Sequence, residues 1–346
     1  MSMKAVVLAA GEGTRMKPLT LRRPKPLVPV AGRPIIEHIL GGLAAGGFDR
    51  IGLIVGYMAS ALRERLGDGR RLGATITHIR QQPGKGTGTA TLSAREFVGD
   101  EPFFLGWGDI IVPRRSYREI REIWEAERPE ALLSVNRVDD PYEGAAVYVE
   151  DGHARRIIEK PEKGTSTTSY NNAGLFVFGP ELMELLERTP PSPRGEIEVP
   201  SAVDAMLAAG ARIRAYEIPG YWSDVARPST ALWISGKMIA DASRAGVIVH
   251  PDARLSASAL LEPPVFIGAG AEVAAARLGP NVTVMEQAQV GGGAKLSDVC
   301  LLPRAQVGAG ARLEHAIVEQ GARVPDASTL MGTCEQALVV EVAEDG

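Results

Sequence analysis

Between Gly11 and Pro34, six cations (Arg15, Lys17, Arg22, Arg23, Lys25 and Arg33) stand against one acid, Glu12. The stretch opens with Gly11-Glu12-Gly13-Thr14-Arg15, directly after an apolar run. Glycines at such a place let backbone N–H groups close around phosphate oxygens. Four prolines, Pro18, Pro24, Pro26 and Pro29, stiffen the segment and fix where its cations point, although a solvated basic loop has the same composition. Two familiar phosphate patterns are excluded. The third glycine of the dinucleotide fingerprint falls on Met16, Lys25 and Pro29 stand where its ribose-binding acid belongs, and no segment fits a Walker A loop.

Two carboxylates occupy positions suited to a ligand crevice. Asp109 follows the apolar run Phe103 to Gly108, at the carboxyl end of a buried strand; a turn or helix cap is the other reading. Asp224 follows a strand over Arg212 to Ile218, and its alternative is the N-cap of a helix near Ser229 to Met238.

The elements that must position these residues fall into two regions with different periods. From Lys4 to about Ser243, short apolar runs (Ala5 to Ala10, Ile51 to Val55, Phe103 to Trp107, Ala131 to Val135) alternate with amphipathic segments, which predicts an α/β fold of Rossmann-like type with a mixed, mostly parallel sheet. The pattern predicts helices over Pro34 to Ala45, with proline in the first turn, and over Tyr117 to Glu127. Asp151-Gly152 predicts a type I′ hairpin between Ala145 to Val149 and Ala154 to Ile158. Beyond Gly246 aliphatic residues recur about every six positions, from Val249 to Val324, each with a small residue two places before it. Both sets must point inward, as in a prism of short parallel strands, and on that register Cys300 and Leu302 face the interior. The repeat resembles the hexapeptide, left-handed β-helix. These periods divide the chain into residues 1–243, 244–332 and a tail, 333–346.

With 346 residues and 45% hydrophobic content, the chain can bury a large core. A net charge of -4 argues against nucleic-acid binding. No membrane-length apolar run and no signal peptide are apparent, which predicts a cytoplasmic protein with no membrane partner. Cys300 and Cys334 are too few for a disulfide framework or a zinc site.

Leu8-Ala9-Ala10-Gly11-Glu12-Gly13-Thr14-Arg15-Met16, followed by Pro24-Lys25-Pro26-Leu27, resembles the signature of the sugar-nucleotide pyrophosphorylases, the sugar-1-phosphate nucleotidylyltransferases. The resemblance implies that Leu8, Ala10, Gly11, Gly13 and Thr14 bind the nucleotide, and that Arg15 and Lys25 are catalytic. It makes Asp109 and Asp224 the ligands of Mg2+. Gln81-Gln82-Pro83-Gly84-Lys85-Gly86-Thr87 is similar to an element of uridylyl- and thymidylyltransferases and implies that Gln81, Gly86 and Thr87 face the base; a polar turn is the other reading. Ile158-Glu159-Lys160-Pro161, Asn171-Asn172-Ala173-Gly174 and Arg194-Gly195-Glu196 likewise imply a sugar-phosphate pocket of Gly144, Glu159, Lys160, Asn172 and Arg194, although Glu159-Lys160 also suits an exposed ion pair. The expected partners are UTP or dTTP with a glucose- or N-acetylglucosamine-type 1-phosphate. GTP with mannose 1-phosphate, and a catalytically silent regulatory subunit of the same fold, are the alternatives. The β-helix is expected to assemble a homo-oligomer rather than transfer acetyl groups.

Overall fold

The structure, a computed structural model, describes residues 3–342, so residues 343–346 of the expected tail lie outside it. The chain forms two compact units. The first runs to Glu12 and then from Ile36 to Trp222; the second takes Gly13–Ile35 and resumes at Ser223.

A nine-stranded mixed sheet forms the first unit. Its strands are β1 (Lys4–Ala9), β2 (Arg50–Val55), β3 (Thr75–Arg80), β4 (Phe103–Trp107), β5 (Ala131–Arg137), β6 (Ala145–Glu150), β7 (His153–Glu159), β8 (Tyr170–Phe178) and β9 (Ile213–Glu217). They lie in the order β3-β2-β1-β4-β8-β5-β9-β7-β6. β1, β2, β3 and β4 pair in parallel, as do β5 and β9, whereas β7 and β8 run against their neighbours. The apolar runs become strands because both sheet faces are covered, and Val6, Phe103, Leu105, Leu133 and Phe176 are all fully buried. β6 and β7 form the expected hairpin, with Asp151 and Gly152 both at positive φ, 49° and 73°. One expected boundary moves. Pro34 pairs with Pro29 in a two-residue ladder, and the helix starts at Ile35.

In the second unit, residues 13–35 fold as three tight turns and a short hairpin, the helix Pro228–Ala242 follows, and a stack of parallel coils completes it. The hairpin is tied to that helix by the Ala31 N–H, which donates to Ser235 Oγ at 2.9 Å. The helix meets the coils where Asn281 Nδ2 donates to the Leu232 carbonyl at 3.0 Å.

Each coil carries three short strands, and partners in successive coils lie seventeen or eighteen residues apart: Val265 pairs with Val282, Val282 with Val299, and Arg277 with Lys295. Alternating small and branched residues fill the interior, including Ala271, Val273, Ala288, Val290, Ala305 and Val307. The inward register is corrected at one corner. Val299 and Leu301 point into the prism, while Cys300 and Leu302 are buried outside that core. The five-residue step falls between Leu296 and Leu301 rather than after Leu302, because Asp298 takes φ 52° and turns the chain a residue earlier. Burial pushes the Cys300 thiol up to about 12, which disfavours its reactive thiolate. The tail reading is corrected too. Leu338–Val340 pairs with Ala316–Val318 and adds a further rung; its partners lie twenty-two residues apart, and this lengthened step hides the repeat from a six-residue count.

Candidate active site

The glycine loop begins at the carboxyl end of β1. Gly11 has open space where a side chain would stand, so its backbone is accessible from that side. Gly13 is constrained twice: its φ is +64°, and a Cβ there would lie 2.7 Å from Lys25 Cβ. That glycine therefore lets the turn holding Lys25 pack against the loop. Thr20 Oγ1 donates to the Gly13 carbonyl at 3.0 Å, and the Met16 N–H donates to the same oxygen at 2.9 Å. Thr14 and Arg15 begin the turn that follows and are exposed.

Lys25 is buried at 8% exposure, yet its Nζ lies 3.3 Å from Asp224 Oδ1. The other carboxylate oxygen, Oδ2, is 3.7 Å from Arg15 Nη2. The second unit thus gathers both expected catalytic residues, Lys25 and Arg15, around the carboxylate of one expected metal ligand, Asp224. Asp224 does not cap the following helix, since Arg227 holds that position.

Within the first unit, Leu8, Ala10 and Asp109 stand where β1 and β4 end. The Gly108 N–H donates to the Leu8 carbonyl at 2.8 Å, and a Cβ on Gly108 would lie 2.7 Å from that oxygen. Asp109 therefore turns off the sheet directly beside the start of the glycine loop. Among the described residues no group of three or more His, Cys, Asp or Glu could hold a metal.

Gln81 extends from the end of β3, and its side-chain amide donates to the Gly84 carbonyl at 3.2 Å. Gly86 is pinned by packing, for a Cβ there would lie 2.2 Å from the Ile197 carbonyl oxygen. Thr87 Oγ1 accepts from the Val199 N–H at 3.0 Å. Both residues therefore hold the segment 196–199, a task their motif does not announce.

The third group lies on β7 and the chain before the helix Val199–Ala208. Arg194 donates to Glu159 at 3.3 Å and, through a very short contact, to Glu198. Burial, and then the neighbouring Glu198 carboxylate, push the Glu159 carboxyl above its usual range, and Arg194 partly offsets them. Lys160 follows at φ 44° and is exposed. These residues border a groove of about 600 Å³ with Pro190, Pro191 and Pro193. Asn172 Oδ1 accepts from the Gly174 N–H at 3.1 Å. Gly144 is glycine for a reason inside the protein: a Cβ would lie 2.1 Å from Asn171 Oδ1, which accepts from the Ala145 N–H. Glu198 lies outside the quoted motifs, and Asn171 lies in one that gave the sugar role to Asn172; both are buried polar residues.

Residues 4–239 match the family model described as nucleotidyl transferase, and residues 267–336 match a GlmU-like C-terminal hexapeptide model. A Streptomyces antibioticus protein named glucose-1-phosphate thymidylyltransferase is 32% identical over 286 residues, 79% of this chain and 80% of its own. A Methanococcus maripaludis protein named bifunctional protein GlmU is 34% identical over 227 residues, and this chain spans about half, 52%, of its length. Among solved structures, a Bacillus anthracis protein described as a glucose-1-phosphate thymidylyltransferase, in complex with a sucrose, superposes with a TM-score of 0.62 at 26% identity, over 68% of this chain and 94% of its own. A UDP-glucose pyrophosphorylase complexed with UDP-glucose gives the same TM-score at 20% identity, over 70% of this chain and all of its own, and so shares the fold.

Proposed function

Because this chain belongs to the nucleotidyl transferase family of sugar-1-phosphate enzymes, we propose that it joins UTP or dTTP to glucose 1-phosphate or N-acetylglucosamine 1-phosphate and releases pyrophosphate. The observation that carries this reading is the pairing of a buried lysine and an exposed arginine with the two oxygens of Asp224, on a loop whose glycine backbone is open to a phosphate.

In the proposed reaction an oxygen of the sugar phosphate attacks the α-phosphorus of the nucleotide. The new O–P bond forms as the bond from the α-phosphorus to the bridging oxygen breaks, and the electron pair leaves with pyrophosphate. The attacking oxygen is already ionised, so no general base is needed and positioning with charge neutralisation dominates. Lys25 faces the phosphate under attack, Arg15 and the N–H groups of Gly11 and Gly13 hold the departing phosphates, and Leu8, Ala10 and Thr14 shape the loop. Gln81, with Gly86 and Thr87 behind it, reads the pyrimidine edge. Gly144, Glu159, Lys160, Asn172 and Arg194 take the sugar phosphate.

Magnesium suits the donor set, since Asp109 and Asp224 are hard oxygen donors free of sulfur or imidazole, and such an ion fills its remaining positions with phosphates and water. Asp109 and Asp224 would hold it, and bound there it supplies further neutralisation of phosphate charge. Among the described residues no helix is long and apolar enough to cross a membrane.

The functional division into residues 1–243 and 244–332, the left hand of the coils and their role in homo-oligomer assembly belong to the same proposal. Pyrophosphate release, measured over a panel of nucleotides and sugar phosphates, tests it: UTP or dTTP should turn over best. Preference for GTP with mannose 1-phosphate would replace the substrate assignment, and no turnover with any pair would point to a silent subunit. Light scattering should show more than a monomer, and acetyl-CoA with glucosamine 1-phosphate should give no acetyl transfer.

A further inference from the structure

Not all of the loop's cations are turned toward a ligand. Arg23 is largely withdrawn from solvent, and its Nη2 lies 2.6 Å from Oε2 of Glu319, a residue of the coil stack whose side chain is only 2% exposed. The Gln320 N–H donates to the same oxygen at 2.9 Å. Among the described residues Glu319 Oε1 and Arg23 Nη1 are both buried without a hydrogen-bond partner. A buried pair with unsatisfied atoms is a poor device for stability, because desolvation of both charges opposes their attraction and an apolar pair of similar volume often does better. What such a pair does well is fix one geometry.

Arg23 stands two residues before Lys25, and the chain between them has little freedom. Pro24 is extended at φ -66° and ψ 148°, Pro26 sits inside the next turn, and the N–H groups of Leu27 and Val28 donate to the carbonyls of Pro24 and Lys25 at 2.8 and 3.0 Å. Gly13 leaves no room for a Cβ, which would lie 2.7 Å from the Lys25 side chain. A restraint on Arg23 is therefore a restraint on Lys25. We infer that Glu319 is a positioning residue for the transfer reaction: by holding Arg23, the coil stack sets where the Lys25 turn presents its ammonium group. This rests on the reading of Lys25 given above and changes the status of the coils. Residues 4–239 match the catalytic family model without them, yet in this chain they complete the phosphate loop.

The test uses the full chain and measures kcat, both KM values and thermal stability. Glu319→Gln keeps the volume and removes the charge; kcat should fall on the order of tenfold to a hundredfold, the cost of a small misplacement, while the sugar-phosphate KM changes less than about twofold. Arg23→Met combined with Glu319→Leu replaces the ions by an apolar pair and should restore or raise the melting temperature while kcat stays low. Recovery of kcat together with stability in that double variant would make the pair merely structural and overturn the inference. So would unchanged kcat in Glu319→Gln. Lys25→Ala separates the two levels: near-normal turnover there defeats the reading of the site, whereas an inactive Lys25→Ala beside fully active Glu319 variants defeats only the positioning role.

Discussion

The molecule holds two charged clusters made of similar parts in opposite proportion. Around Asp224, two cations share one carboxylate. Around Arg194, two carboxylates share one cation. The first cluster brings Lys25 and Arg15, from a loop of glycines and prolines with little freedom, to Asp224. The second sets Glu159 and Glu198 against Arg194, and burial keeps Glu159 partly desolvated. In the roles proposed above, one cluster serves the phosphates and the other the sugar, and each is built locally rather than through the chain's overall charge of -4.

The largest effects should come from breaking the first cluster. Asp224→Asn gives up the charge that balances Lys25 and Arg15 and would hold the metal, and Asp109→Asn gives up the other proposed metal ligand, at the end of β4. Each should lower kcat by on the order of 10³-fold or more while circular dichroism and melting temperature stay close to wild type. Lys25→Ala and Arg15→Ala should lower kcat more than they raise the sugar-phosphate KM, because their charges serve the transferring and departing phosphates. Near-normal turnover in either aspartate variant would remove that residue as a ligand, and a pure KM effect in the cation variants would move them out of the transfer step.

This cluster was also the more legible one. Gly11, Gly13, Arg15 and Lys25 lie within one short stretch, and the roles proposed for them come from the resemblance of that stretch to the family signature, while Asp109 is flagged by the apolar run before it. Asp224 was flagged as well, although spacing could not separate a ligand from a helix cap; the structure removes the cap reading, because Arg227 holds that position. Glu198, Asn171 and Glu319 were not legible. Glu319 meets Arg23 far away in sequence and Asn171 accepts from the Ala145 N–H on another strand, while Glu198 meets Arg194 four residues away without belonging to a repeating pattern. The coil parity failed near Asp298 for a related reason: a five-residue corner and a six-residue corner differ by one backbone turn that no residue type dictates. Pro34 was legible as a helix start but lies one residue outside, in a ladder with Pro29.

A smaller effect should come from Gln81, which belongs to neither cluster. Its amide is held by one hydrogen bond to the Gly84 carbonyl, which leaves its oxygen to accept from a pyrimidine N3–H. Gln81→Ala should reduce the preference for UTP or dTTP over GTP by about 1–3 kcal/mol, the cost of one unpaired polar edge, in competition assays with both nucleotides. Unchanged base discrimination would leave Gln81 as a polar turn residue.

The smallest expected effect displaces a pH profile instead of lowering a rate, and it concerns the second cluster. Glu159 is useful to sugar hydroxyls as an ionised acceptor, so the acid limb of kcat/KM for the sugar phosphate should follow its protonation in the free enzyme. Burial and the Glu198 carboxylate raise that carboxyl, while the Arg194 hydrogen bond and charge lower it. Removing the guanidinium in Arg194→Ala takes away a lowering influence, so the carboxyl rises further and the acid limb moves to higher pH. Glu198→Gln takes away a raising influence, so the limb moves to lower pH. Titration of the sugar phosphate itself is common to all variants and cancels in the comparison. Steady-state kcat/KM against pH for the three proteins checks both signs, and limbs that coincide, or that move the same way in both variants, would show that Glu159 does not govern sugar-phosphate binding.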